Sequence, residues 1–187
     1  GGFPLGKEFR VEIHYDLNYD GSKGEGLTYS PAEPEAKNET RRYPQIHSQG
    51  EAEVNSRWFP CHDFPNERLT TELIVNVEDG YEVVSNGKLL DVASDGHGRS
   101  TWHWLQDKPH TTYLVALAIA KFGVIDLGGS ESGRPGLSIP VYTPLGTEKN
   151  VQESFANTPK MIALFEKLFD EPYPWDKYAQ VIVRDCA

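Results

Sequence analysis

Apolar and polar residues alternate along much of this chain, and the period changes only near its C-terminal end. Phe9, Val11, Ile13 and Tyr15 share one parity, which predicts a half-buried strand over 9–16. Leu73, Val75 and Val77 do the same over 70–77. Glu78-Asp79-Gly80 then reads as a turn into a strand at 81–85. Asn86-Gly87 is a strong two-residue hairpin signal and predicts that 88–93 folds back on 81–85. Asp95-Gly96-His97-Gly98 predicts a further turn and a returning strand over 99–105. Residues 111–122 are too apolar for a half-exposed strand and predict one buried on both faces. After a Gly- and Ser-rich stretch at 128–136 come a strand near 139–143 and a helical region within 148–169. Met161, Leu164, Phe165 and Leu168 there follow the i, i+3, i+4, i+7 rule. Thr158-Pro159 suits an N-cap and first helical residue, so the helix is expected to kink or restart there. Glu171-Pro172-Tyr173-Pro174 ends it, and 180–184 is a last strand.

Short strands at regular spacing predict a mainly β fold, an antiparallel sandwich or saddle, followed by a short α+β piece. The Gly/Ser-rich stretch divides the chain into a β domain at 1–135 and a second unit at 136–187. Segments 18–26 and 31–42 read as a loop and an exposed excursion.

Composition narrows the functions. At 38% hydrophobic and 25% charged residues, the 187-residue chain has an ordinary globular make-up. Its net charge of −10 argues against sequence-independent nucleic-acid binding, which needs Lys and Arg on phosphates. No apolar run approaches the roughly 20 residues that span a bilayer. Two cysteines, Cys61 and Cys186, make no disulfide framework and leave the compartment open. There is no G-x-S-x-G, P-loop, dinucleotide fingerprint or H-E-x-x-H. The chain begins without Met and stops after an apolar strand pattern, so both ends read as cuts inside a larger protein.

The chemistry concentrates in 45–63. In an extended strand Gln49, Glu51 and Glu53 project from one face, with Ser48, Gly50, Ala52 and Val54 on the other. An amide with two carboxylates can receive a cation or an amine; the ordinary alternative is a solvent-facing strand edge. Cys61-His62 has no second pair at zinc-finger spacing. It reads as part of the Pro-flanked turn 60–65, with Cys61 a small buried residue and Asp63 bonding nearby N–H groups. Trp102 and Trp104 suit an aromatic packing stripe, or alternatively a sugar platform, and His103 faces away from both.

Ser-Gln-x-Glu-x-Glu, then Arg57-Trp58-Phe59-Pro60-Cys61-x-Asp63-x-Pro65, then Val84-Ser85-Asn86-Gly87, resemble the zinc aminopeptidases of the membrane alanyl aminopeptidase family. Thr111 to Ala116 resembles that family's Ser-Thr-Tyr-Leu-Val-Ala strand. Val141-Tyr142-Thr143-Pro144 and Tyr173-Pro174-Trp175-Asp176-Lys177-Tyr178 resemble the entry to its catalytic domain.

The resemblance implies a saddle-shaped N-terminal domain, incomplete at its start, followed by the beginning of a thermolysin-like catalytic domain. It implies that Glu51 binds the free amine of a peptide and Gln49 contacts its first residue, while Glu53 gains no role. Zinc is implied for the parent enzyme. The zinc-binding helix and the Gly-x-Met-Glu-Asn loop are missing here, so the piece alone is expected to hold no zinc and to be inactive. Two other functions fit less of the chain: a non-catalytic aminopeptidase-like scaffold for protein interactions, and a carbohydrate-binding β-sandwich.

Overall fold

The computed structural model describes residues 6–18, 25–33, 42–128 and 136–185. It is mainly β, with antiparallel sheets and a short helical piece towards the C-terminal end. One sheet has the order β1 (Gly26–Ser30), β2 (Gln45–Gln49), β7 (Leu117–Ala120), β4 (Glu82–Ser85). The second runs β3 (Leu69–Glu78), β6 (Arg99–His110), β5 (Lys88–Ser94). The third runs β10 (Gln180–Val181), β9 (Pro140–Pro144), β8 (Phe122–Asp126), with β10 parallel to β9.

The four-stranded sheet is the middle layer, because its neighbouring side chains are buried on opposite faces. Val83 and Leu117 join Trp58, Trp104 and Val115 against the β3-β6 side. Val84, Ala118 and Ala120 join Phe122, Tyr142 and Val181 against the third sheet. Burial on both faces explains the unbroken apolar run after Tyr113. The helices α1 (Glu148–Phe155) and α2 (Thr158–Phe169) follow, and Ile162 packs on Leu137 and Ile139.

Several expectations hold. Strand β3 packs Leu73, Val75 and Val77, each half-buried, against the core as its alternation requires. Residues 95–98 turn β5 into β6, with an Asp95 carboxylate oxygen accepting the His97 and Arg99 N–H groups. The helical region does restart, although Asn157 rather than Thr158 is the N-cap and Pro159 lies inside the first turn.

Others are corrected. Residues 7–18 carry no regular structure, and Val11, Ile13 and Tyr15 are exposed. Alternation supplies an apolar face, but a strand also needs a neighbouring backbone, and none of the described strands pairs with this segment. Asn86-Gly87 closes no hairpin: β4 pairs with β7, whereas β5 pairs with β6 in another sheet. The Asn86 side chain donates to the Leu114 carbonyl at 2.8 Å and accepts the Ala116 N–H at 2.7 Å. Gly87, at φ +74°, passes so close to Leu105 that a Cβ would lie 2.0 Å from its carbonyl oxygen. The pair therefore marks a crossing between sheets.

Residues 111–122 form a 3-10 turn at Thr112–Leu114 before β7, rather than one strand, and the final strand keeps only two residues. The apolar face of α2 is exposed at Met161, Leu164, Phe165 and Leu168. Residues 129–135 of the expected boundary stretch 128–136, residues 34–41 of the expected excursion 31–42, residues 19–24 and Cys186 lie outside the described residues.

One buried side chain joins the connection after β2 to the turn before β7. Asn55 is fully buried; its amide nitrogen donates to the Thr112 carbonyl at 2.6 Å and the Val115 carbonyl at 3.1 Å. Its oxygen accepts the Trp58 indole N–H at 2.7 Å. Asp63 adds a second tie: it accepts the Ser56 N–H at 2.8 Å and the Thr112 hydroxyl at 2.9 Å.

The C-terminal segment is held separately. Lys177 donates to the Ser85 and Gly87 carbonyls and lies 4.4 Å from the Trp104 ring centroid. Gln45 accepts the Arg184 N–H, and Arg184 donates to the carbonyls of Ser30, Pro31 and Tyr43.

Replacing Asn55 with Ala strands two carbonyls and an indole N–H in the interior. Urea unfolding is expected to show a loss of about 3 kcal/mol; an unchanged midpoint would remove Asn55 from this role. Lys177 yields a pH effect. Burial, opposed by Asp176, pushes its pKa from 10.5 down to about 8. Between those values the unfolded chain binds more protons, so this group makes stability rise with pH across that window. Tyr173, pushed by burial and Tyr178 from 10 up to about 12, acts in the opposite sense above pH 10. Unfolding free energies measured between about pH 8 and 10 should rise less in Lys177→Met than in the parent; identical slopes would refute the assignment.

Candidate functional site

Strand β2 ends at Gln49, so the polar residues identified from the sequence do not share one strand face. Gln49 is half-buried and lies opposite Gly26 in the β1 register. Residues 51–54 form a turn, and a 3-10 turn follows at Asn55–Arg57. Glu51 and Glu53 both lie on this exposed turn, so alternation cannot order their side chains. The strand fails here because Gly50 leaves the sheet to meet Asn55 and the backbone of Tyr113. A Cβ on Gly50 would lie 2.5 Å from both the Asn55 amide nitrogen and the Tyr113 carbonyl oxygen. Only glycine permits that approach. The Gly50 carbonyl then accepts the Val54 N–H at 3.3 Å and closes the turn. The Glu51–Ala52 peptide is cis.

The turn therefore has a fixed base and a solvent-facing top. The base is Gly50, Asn55 and the 3-10 turn at Thr112–Leu114; the top carries Glu51 and Glu53. Among the described residues no ion pair involves either carboxylate. The nearby cation Arg57 pairs instead with Glu25, the residue before β1. Such a surface carboxylate can accept hydrogen bonds from an ammonium group, and a half-buried amide beside it can contact the body of the same molecule.

The remaining candidates take structural places. Cys61 is half-buried, and burial with the Asp63 carboxylate holds its thiol above the ordinary range, which disfavours a reactive thiolate. His62 is exposed. Trp104 is buried and Trp102 packs against the same core, so they form no open platform for a sugar. His103 faces the other way and meets Glu72 at 2.6 Å. Among the described residues no three His, Cys, Asp or Glu side chains are grouped to hold a metal ion. The residues described do not fit a zinc site. No helix among them is long and apolar enough to cross a membrane.

Asn55 was not singled out from the sequence. Its one sequence cue is position: a polar residue between the two halves of the 45–63 signature, three residues before a tryptophan.

Known proteins match most of the chain. The family model described as the peptidase M1 N-terminal domain matches residues 5–114. Aminopeptidase B of Rattus norvegicus is 28% identical over 172 residues, which covers 92% of this chain and 24% of the relative. Aminopeptidase B of Mus musculus is 29% identical over 175 residues, covering 94% of this chain and 24% of the relative. Probable aminopeptidase 1 of Saccharolobus solfataricus is 28% identical over 142 residues, covering 76% and 18%. The chain thus spans about a quarter or less of these relatives' length. With more than half of its residues inside the family model, the chain belongs to the peptidase M1 N-terminal domain family.

Proposed function

We propose that this chain is the part of a zinc aminopeptidase that recognises the substrate's N-terminus, and that it does not itself cleave peptides. Residues 1–135 are its saddle-like β domain, and 136–187 begin the catalytic domain. The observation that carries the reading is the exposed carboxylate of Glu51 on a turn whose base is closed by Gly50 and Asn55. A peptide with a free N-terminus brings an ammonium group to Glu51, which accepts its N–H bonds. Gln49, held at the end of β2, contacts the first residue. Charge-assisted bonds of this kind are about twice as strong as neutral ones, so a blocked N-terminus is bound poorly. That selectivity confines cleavage to the first peptide bond.

Zinc, in this reading, is held by the remainder of the parent protein. There it would supply Lewis-acid polarisation of the scissile carbonyl and an activated water. This chain's own contribution is to orient the substrate. The M1 family match and the aminopeptidase relatives support the assignment, and Glu53, on the same turn, serves as an internal control.

In the parent aminopeptidase, Glu51→Ala is expected to lower kcat/KM for free-amine peptides about 10- to 100-fold, the equivalent of about 1.5–3 kcal/mol for a bond to a charged group. Glu53→Ala is expected to change it less than about twofold on the same principle. Equal effects, or none at Glu51, would remove the anchor. Purified 1–187 incubated with equimolar zinc is expected to release no product from an aminoacyl reporter; turnover above the buffer rate would overturn the division of labour.

A further inference from the structure

Helix α2 carries six large apolar side chains, Met161, Ile162, Leu164, Phe165, Leu168 and Phe169, and only Ile162 is buried. It packs on Leu137 and Ile139. The other five are between 52% and 73% exposed. Their spacing of i, i+3, i+4, i+7 and i+8 makes them one stripe along the helix, and the rings of Phe165 and Phe169 stack at 5.8 Å. A helix apolar over so much of its circumference is of the kind found buried, and a contiguous exposed apolar stripe marks an interaction surface.

A second opening lies in the same part of the chain. Strand β10 pairs only with β9 among the described residues, so its outer edge is free. The two strands run parallel and are joined through α1 and α2. Parallel strands occur almost only in sheets covered on both faces. An unpaired edge is also a template for a further strand.

Three occupants could cover the stripe: a second copy of the chain, a lipid surface, or more of the same polypeptide. A 12-residue helix offers a strip about 18 Å long and about 10 Å wide, well short of the roughly 800 Å² per partner in a stable dimer. Helices that lie on anionic lipid have a polar face rich in Lys and Arg. Here Lys160 and Lys167 are outnumbered by Glu166, Asp170 and Glu171, in a chain of net charge −10. Lipid also leaves the β10 edge unpaired. A continuing polypeptide is held in place by its own tether, so a small strip suffices. A right-handed crossover from β10 to a new strand beyond it returns its helix to the face on which α2 lies. One segment thereby fills both openings.

We propose that the exposed stripe of α2 is the docking surface for the polypeptide that follows residue 187 in the parent aminopeptidase. That polypeptide covers Met161, Phe165 and Leu168 and adds a strand to β10. The proposal rests on residues 136–187 being the start of a catalytic domain, and it adds where the remainder of that domain is seated.

Met161 is the only methionine of the chain and lies in the stripe, so it reports on cover without any substitution. Peroxide converts an accessible methionine to its sulfoxide, which is read by mass spectrometry of the peptide holding residue 161. In the native parent, Met161 is expected to oxidise at least about tenfold more slowly than in the same protein unfolded in urea, because a covered side chain reacts only on local opening. In native 1–187 it is expected to oxidise at nearly the unfolded rate. Protection in the parent is expected to persist on dilution to the monomer, as checked by sedimentation. Equal rates in native and unfolded parent would overturn the proposal. So would protection already present in 1–187, or protection lost on dilution, which would assign the stripe to a second copy. Fast oxidation beside a Glu51→Ala defect would remove the docking surface alone; slow oxidation without that defect would uphold the docking and remove the amine anchor alone.

Discussion

The turn that carries Glu51 depends on a single buried amide. Asn55 has no exposed surface, and its two ends satisfy two carbonyls of the 112–115 turn and the indole of Trp58. Each of these partners lies in an irregular segment, where no strand ladder can supply the missing bond. An irregular connection crossing the edge of a buried sheet normally leaves polar backbone unpaired. Here one side chain pairs it, and the same side chain fixes how closely Gly50 approaches Tyr113. Asp63 repeats the device one turn later through Ser56 and Thr112. The rigid base and the open top of the turn are thus two consequences of one polar lock, set against the core built on Trp58 and Trp104.

The same economy recurs where the chain leaves the middle sheet. Asn86 takes the place of a neighbouring backbone at the edge of β7. Gln45 and Lys177 tie the C-terminal segment to that sheet from two sides. Because the middle layer is covered on both faces, elements far apart in sequence share it. The signature at 45–63 and the block at 173–178 therefore belong to one assembly.

How much of this could be read from the sequence follows from how local the determining interaction is. Strand β3 and the 95–98 turn were legible because alternation and an Asx-type turn act within a few residues. Residues 9–16 have the same alternation and form no strand, since pairing depends on a second backbone that periodicity does not reveal. Asn86-Gly87 has the right local conformation for a hairpin, but its side chain bonds the 114–116 backbone, about 30 residues away in sequence. The candidate site was half legible. Gln49 and Glu51 were identified by motif, yet their assignment to one strand face failed because the decisive contact, Gly50 against Tyr113, is long-range. The Asn55 lock was missed for the same reason.

Recognition of a peptide amine by the Glu51 carboxylate on this turn is the central proposal. The most direct measurement is an experimental structure of the parent aminopeptidase with an amino-acid amide bound. The account predicts the ligand's amine nitrogen within about 3 Å of a Glu51 carboxylate oxygen, with Gln49 against the first residue. An amine held by other groups, with Glu51 left in solvent, would contradict it.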